Sequence, residues 1–379
     1  MTELFAENFK EKPYWWEAAD PHDNPSSEMP GQCDVSVIGS GYSGLSVALE
    51  LARSGTSVCV LDSQMIGYGA STRNGGMLST EPKFDSYRVL AARFGEELAT
   101  RILEDGRDTF VNLKEIIERE GIGCHLEQNG RFVGAHCTAA YQTLERKARQ
   151  YEREGLDGFE LIPRERQHEI VGQSDYYYGG LHESSGGSLH PGLYHQGLVN
   201  ACLRHGVVFC GQTTALGIVR EEDGFSVNTD RGVIKAREVV LGTNGYTGAL
   251  SPWHSERLIP IGSYIIATEE IGEDRVESMF RGFCTMSNTQ RVLFYYRPSP
   301  DHRRILFGGR ASFALTDATT AAPRLFSYMC RVYPSLRDVS ITHAWTGNVA
   351  FSFDTLPHMG MHEGVHYCMG CNGSGVAMM

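Results

Sequence analysis

Apolar and polar positions along this chain fall into blocks that predict alternating strands and helices. Val35 to Ile38 is a short apolar run. It meets Gly39-Ser40-Gly41-Tyr42-Ser43-Gly44, after which Leu45 to Arg53 carries apolar residues at helical steps. Ser54-Gly55 marks a turn, and Val58 to Leu61 is a second apolar run ending in Asp62. From Ser86 to Glu120 the spacing is again helical: Val89, Leu90, Phe94, Leu98, Ile102, Leu103 and Phe110 recur at three- and four-residue steps, and Gly121 and Gly123 stop the pattern. Further helices are predicted near 140–153, from Pro163, and from His190-Pro191-Gly192, since proline suits a first helical turn. Val207 to Phe209 reads as a buried strand, and 215–236 as two short strands around Glu221 to Gly224. Glu238 to Leu241 leads into Gly242-Thr243-Asn244-Gly245-Tyr246. Longer strands follow at Gly262 to Thr268, Val292 to Arg297 and Arg304 to Phe307, then a helix from Pro323 to Tyr333.

The block 34–62 carries the first chemical signal. Strand, tight glycine turn, helix, strand and acid are the parts that hold a dinucleotide. Gly39 permits the sharp turn, Gly41 lets backbone approach a pyrophosphate, and Gly44 lets the helix pack on the strand. The helix start offers unpaired N–H groups and a positive dipole end to the phosphates. Asp62, 23 residues after Gly39, stands where a carboxylate can accept from ribose hydroxyls. A glycine loop alone is weak evidence; framed by two strands with the acid at this distance it is strong. A second small-residue loop follows at once, Gly67-Tyr68-Gly69-Ala70-Ser71-Thr72-Arg73-Asn74-Gly75-Gly76-Met77. A flavin needs such a loop, because its ring is reached by backbone from several segments.

Four motifs together resemble the FAD-dependent amine and amino-acid oxidoreductases, the family of D-amino-acid, glycine and sarcosine oxidases, and within it the gamma-glutamylputrescine-oxidising branch. They are Tyr14-Trp15-Trp16, the loop Ala70 to Gly76, Gly242 to Tyr246, and 344–376 (AWTGNVAFSFDTLPHMG…GVHYCMGCNGSGV). The resemblance implies an α/β fold, in which a Rossmann-like FAD-binding domain (33–85, 190–248 and 335–379) interleaves with an α+β substrate domain built on an antiparallel sheet (86–189 and 249–334). Residues 1–32 would form an N-terminal extension. It implies FAD contacts from Gly39, Gly41, Tyr42, Ser43, Gly44, Asp62 and Ser63. Ala70, Ser71, Arg73, Asn74, Gly75, Gly76 and Met77 would lie against the flavin ring. Val208 would offer backbone to the adenine, and Thr243, Asn244 and Gly245 would close on the pyrophosphate and ribose. Gly370, Gly373, Ser374, Gly375 and Val376 would present a helix start to the pyrimidine end of the ring, stabilising the charge of the reduced form.

Two departures from the resembled pattern shape the expected substrate. Covalent attachment in sarcosine-type oxidases uses a cysteine near the position of Gly347. No cysteine lies between 331 and 367, so FAD should be non-covalent. Those enzymes also grip the substrate carboxylate with an arginine soon after the flavin loop and a lysine near the last glycine. Here 74–87 lacks arginine and the second position is Ala377. The expectation is a longer amine, losing hydride to flavin N5 to give an imine and then an aldehyde or keto product, with oxygen or another acceptor reoxidising the flavin. Tyr264, Tyr295, Tyr296 and Trp345 are candidates to surround the amine, although aromatic residues in strands usually pack. The alternatives are a glycine-, sarcosine- or D-amino-acid-type oxidase, a nicotinamide-dependent dehydrogenase, or a flavin-binding chain without activity.

Composition narrows the rest. At 379 residues two domains are expected. A formal charge of −12 without a basic block argues against nucleic acid as a partner and leaves a small-molecule amine. No run approaches a membrane span, and MTELFAENFKEK lacks the apolar core of a signal peptide, so a cytoplasmic location is expected. The ten cysteines form no disulfide framework, and the histidines show no metal-ligand spacing. Cys368-Met369-Gly370-Cys371 could be a redox dithiol; the simpler reading is a small buried residue and a turn residue. Only Val376 to Met379 follow the last glycine, about one helical turn, so the chain is expected to be incomplete there.

Overall fold

The computed structural model describes residues 4–80, 87–310, 316–373 and 376. Two large sheets dominate. The first runs in the order Ala215–Glu221, Gly224–Thr229, Gly232–Leu241, Gln32–Ile38, Val58–Leu61, Val208–Cys210. Its hub is Gly232–Leu241. One edge of this strand pairs in parallel with Gln32–Ile38. The other edge pairs antiparallel with Gly224–Thr229, and at Val240 and Leu241 in parallel with Val365–Met369. Val58–Leu61 and the rim-side half of the neighbouring strand, Val35–Ile38, are fully buried, as expected where both faces of parallel strands are covered. Helices Tyr42–Arg53 and Pro191–Arg204 pack on one face, burying Leu45, Ala48, Leu49, Tyr194, Leu198 and Cys202. The hairpin side buries Ile38, Cys59, Leu61, Val227, Ile234 and Val239. The strand ends Ile38, Leu61, Cys210 and Leu241 meet at one rim, where the crevice of an open α/β sheet lies.

The second sheet has nine strands and is mostly antiparallel. Its longest pair is Leu258–Thr268 with Ile341–Ser352. Phe5–Lys10 adds to that pair's edge, in parallel with Ile341–Ser352. Helix Ala318–Val332 covers one face and closes a core with Phe280, Phe294, Tyr296, Phe307 and Tyr333. The opposite face turns toward the first sheet and carries Trp15, Trp16, Ile265, Ala267, Leu306 and Trp345.

Several expectations shift. The segment 335–379, assigned whole to the cofactor domain, divides: Ile341–Ser352 belongs to the second sheet and only His358–His362 and Val365–Met369 join the first. Part of the supposed extension 1–32 is a strand of the second sheet. The helix expected over 86–120 is two, Tyr87–Phe94 and Glu96–Glu120, broken at Gly95 with φ 84°. The helix expected to begin at Pro323 begins at Ala318, because Asp317 caps it by accepting from Thr320 N at 2.6 Å. Among the described residues no helix is long and apolar enough to cross a membrane.

Candidate functional site

A cavity of about 740 Å³ opens at the rim of the first sheet, within the usual range for small-molecule sites. Its floor is the glycine turn. Gly39 has φ 104°, and a Cβ there would lie 2.9 Å from Gly242 O. A Cβ on Gly44 would lie 2.0 Å from Gly39 O, so helix and strand can close only over glycine. Helix Tyr42–Arg53 starts at Gly41 without a side-chain cap; Tyr42 N donates to Ser71 Oγ at 3.0 Å. The Tyr42 ring packs in the core, its hydroxyl donating to Pro191 O at 3.1 Å.

Asp62 ends its strand at the cavity wall. It accepts from Ser40 N at 3.0 Å, Ser40 Oγ at 2.5 Å and Gln64 N at 3.0 Å. Burial raises its carboxyl above the ordinary range, against the pull of these bonds. A carboxylate has about four acceptor positions, so one remains for a ribose hydroxyl. Ser40 is braced from below. Its carbonyl accepts from His195 Nε2 at 2.7 Å, and burial lowers that imidazole to about 4.

The second small-residue loop is held by tryptophans. Trp16 Nε1 donates to Thr72 Oγ1 at 3.0 Å, Trp15 Nε1 to Asn74 O at 2.8 Å, and Trp345 Nε1 to Arg73 O at 2.7 Å. This gives the Tyr14-Trp15-Trp16 segment its physical role. Arg73 lies between Trp16 and Tyr68, 4.6 and 4.3 Å from their ring centroids, and donates to Tyr68 O and Thr346 O. Asn74 bonds Ser71 O and accepts from Gly76 N, closing the turn on itself. Gly75 sits under Tyr295, whose ring an added Cβ would meet at 3.0 Å. Gly76 has φ 63°, and its carbonyl accepts from Leu189 N and Arg297 Nη1. Met77 pairs with Ser188.

The far wall joins two distant segments. Asn244, at φ 43°, accepts from Gly370 N at 3.0 Å and Cys371 N at 3.2 Å, and its amide donates to Cys371 O at 3.3 Å. Asparagine tolerates this left-handed backbone. Gly245 packs against the backbone of 349.

These residues fit a dinucleotide with a bulky ring: a glycine cradle, a rim carboxylate, and a braced second loop. A model of this family, described as FAD dependent oxidoreductase (DAO), matches residues 34–379. The chain belongs to it. The family's cofactor is FAD. Gamma-glutamylputrescine oxidoreductase of Escherichia coli K12 is 32% identical over 354 residues, 91% of this chain and 80% of that one. A probable oxidoreductase OrdL of Haemophilus influenzae Rd is 30% identical over 352 residues, with the same 91% and 80% coverage. In fold the chain is similar to glycine oxidase from Geobacillus kaustophilus, with a TM-score of 0.78 at 19% identity and 92% coverage of each chain.

Of the residues implied by the family resemblance, Gly39, Gly41, Tyr42, Ser43, Asp62, Ser63, Ala70, Ser71, Asn74, Thr243, Asn244, Gly373 and Val376 line the cavity. Gly44, Arg73, Gly75, Gly76, Met77, Gly245 and Gly370 stand behind that lining and shape it. Ser374 and Gly375, like Ala377, lie outside the described residues. Val208 does not reach the cavity: it pairs with Cys59, two residues back from the rim, and Thr213, Thr214, Ala215 and Leu216 take the wall instead. Tyr264 and Tyr296 do not face it either. Successive strand residues point to opposite faces, and these two enter the helix-covered core, where Tyr296 meets the Tyr177 hydroxyl at 2.7 Å. Tyr295 takes the cofactor-side face, its hydroxyl 2.9 Å from Ser263 Oγ. Trp345 braces the loop and does not line the cavity. Cys371 does line it, while Cys368 sits in the neighbouring strand. Reasoning from strand cores missed the post-strand residues 213–216 and 248–250; the rule that ligands bind beyond the carboxyl ends of parallel strands would have found 213–216.

Proposed function

We propose that this chain oxidises an amine with no carboxylate on the reacting carbon, in the manner of gamma-glutamylputrescine or a related alkylamine. The fate of the cations around the loop 70–76 carries this reading. Arg73 donates from Nε to Tyr68 O and from Nη1 to Thr346 O. Arg297, fully enclosed and lowered by burial to about 10, spends its donors on Gly76 O, Leu189 O and Pro298 O. Both guanidinia thus already bond carbonyls from Nε and Nη1, the nitrogens that a two-pronged grip on an α-carboxylate would need beside Nη2. The named activity of the Escherichia coli relative points the same way.

When bound, FAD supplies the hydride acceptor, and the amine becomes an imine that water hydrolyses. The chain's own residues bind, orient and exclude water. Asp62 and the glycine turn hold the adenosine and pyrophosphate end. The loop 70–76, braced by three tryptophans, would hold the ring. Tyr295 and Ser263 form the wall above Gly75 and keep solvent from the reacting carbon.

The test is anaerobic bleaching of the bound flavin. Gamma-glutamylputrescine, or a simple diamine such as putrescine, should bleach it faster than sarcosine, glycine or D-alanine at equal concentration. The reverse ranking would overturn this reading and favour an α-amino-acid oxidase.

A further inference from the structure

We propose that Arg310 selects the far end of the substrate, binding a carboxylate carried many bonds away from the reacting nitrogen. This rests on the amine reading above and deepens it.

The face of the second sheet that meets the loop 70–76 can be followed outward. Trp345 bonds Arg73 O, and a Cβ on Gly347 would lie 3.3 Å from Arg73 Cβ. Val349 lines the cavity. Alternation then puts Phe351 on the same face, paired with Ile259, which is 47% exposed. Arg310 follows Gly309, whose partner is Tyr264. Tyr264 enters the core, so Arg310 falls on the opposite face, that of Ser263 and Tyr295. Its guanidinium carbon stands 5.1 Å from the Phe351 ring centroid. Among the described residues Arg310 has no carboxylate partner. Arg73 and Arg297 already bond carbonyls through Nε and Nη1; among the described residues nothing accepts from Arg310.

The distance decides which carboxylate it suits. Arg310 leaves its strand beside Ser263, whose partner Gly347 lies at the loop, and its side chain runs outward to the ring of Phe351, in the pair Ile259–Phe351 four residues further along. At about 3.3 Å per residue that is about 13 Å. A carboxylate on the reacting carbon stays at the Ser263–Gly347 end of this stretch, away from a guanidinium held against Phe351. One at the end of an extended chain of about nine bonds can reach it, and a gamma-glutamyl amide of a diamine has that shape. Val349, Ile261 and Phe351 give the methylenes an apolar track. A planar guanidinium beside an aromatic ring can then take the carboxylate through two parallel bonds, which a lysine cannot do.

The experiment compares holoenzyme with Arg310→Leu and Arg310→Lys on three amines. Gamma-glutamylputrescine carries the distal carboxylate and an α-amine, N-glutarylputrescine the carboxylate alone, and N-acetylputrescine neither. Arg310→Leu should lower kcat/KM for the first two by about 30-fold, mostly through KM, as for a lost charge-assisted bond pair. N-acetylputrescine should change by less than about threefold, and Arg310→Lys should recover only part of the loss. An equal fall on all three amines, or no fall on any, overturns the assignment. If the wild-type enzyme oxidises none of the amines, the amine reading itself fails. The carboxylate site is then judged by perturbation of the flavin spectrum on adding N-glutarylputrescine. Binding that Arg310→Leu abolishes supports the site; no binding to wild type, or binding unchanged in the variant, overturns it.

Discussion

His195 makes the stability of this protein fall as the solution turns acid, and the size of the fall can be worked from its surroundings. The ring is fully enclosed, Nε2–H donates to Ser40 O at 2.7 Å, and Nδ1 has no partner among the described residues. The neighbours are Tyr42, whose ring centroid is 6.3 Å away, and the backbone of Gly67; neither carries a charge to stabilise an imidazolium. Burial therefore lowers the ring from its ordinary 6.5 to about 4. The folded value is depressed, so the contribution is intact above pH 6.5 and is lost as pH falls from 6.5 toward about 4. At pH 5 the unfolded ring sits about 1.5 pH units below its pKa while the folded ring stays neutral, which costs about 2 kcal/mol. His190 behaves alike, lowered to about 3 by burial and then by Arg297, while its Nδ1 caps helix Pro191–Arg204 by accepting from Leu193 N. Asp62 runs the other way, since its carboxyl is raised. The difference between wild type and His195→Gln removes these shared contributions, and glutamine keeps a donor for Ser40 O. Urea unfolding at pH 8 and pH 5, at fixed FAD, should show the variant losing about 2 kcal/mol less than wild type between the two values. Equal losses in the two proteins would refute the reasoning.

Three further outcomes follow from the cofactor cradle. Asp62→Ala should weaken FAD binding by about 1.5–3 kcal/mol, read by fluorescence titration of the apoprotein; unchanged affinity would remove the carboxylate from the site. Gly44→Ala forces a methyl to 2.0 Å from Gly39 O, a backbone atom that cannot swing away, so stability should fall by about 2–3 kcal/mol in urea. Acid precipitation should leave yellow FAD in the supernatant; flavin in the pellet would point to Cys371, which lines the cavity.

The glycine-turn side of the cavity was legible because its chemistry is local. Gly39, Gly41, Gly44 and Asp62 lie within one strand-turn-helix-strand unit, where spacing in sequence is spacing in space. The substrate half was not, because it depends on which face of a distant strand points inward. Tyr295 and Tyr296 are adjacent, and only the pairing of Phe294–Pro298 with Ile305–Gly309 settles which one meets Gly75. The same holds for Arg310, whose face is set by the Tyr264–Gly309 pair. The two-tryptophan segment near the start could be matched to a family, but its bonds to Thr72 and Asn74 link residues that no local pattern connects.

The pairing of Phe5 with Ile341 also bears on how the molecule is made. The strand Phe5–Lys10 is synthesised before the other strands of its sheet, yet the strand it pairs with, Ile341–Ser352, follows all of them. The hub of the cofactor sheet is complete once Leu241 has emerged, so that unit can gather early around Gln32–Ile38 and Val58–Leu61. The second sheet must wait for Ile341–Ser352, holding unpaired edges and apolar faces in the meantime. Loop closure over such separations is slow. Growth on the ribosome and dilution from urea should therefore share one hazard, association through an open edge, and the yield of refolded protein should drop as its concentration rises.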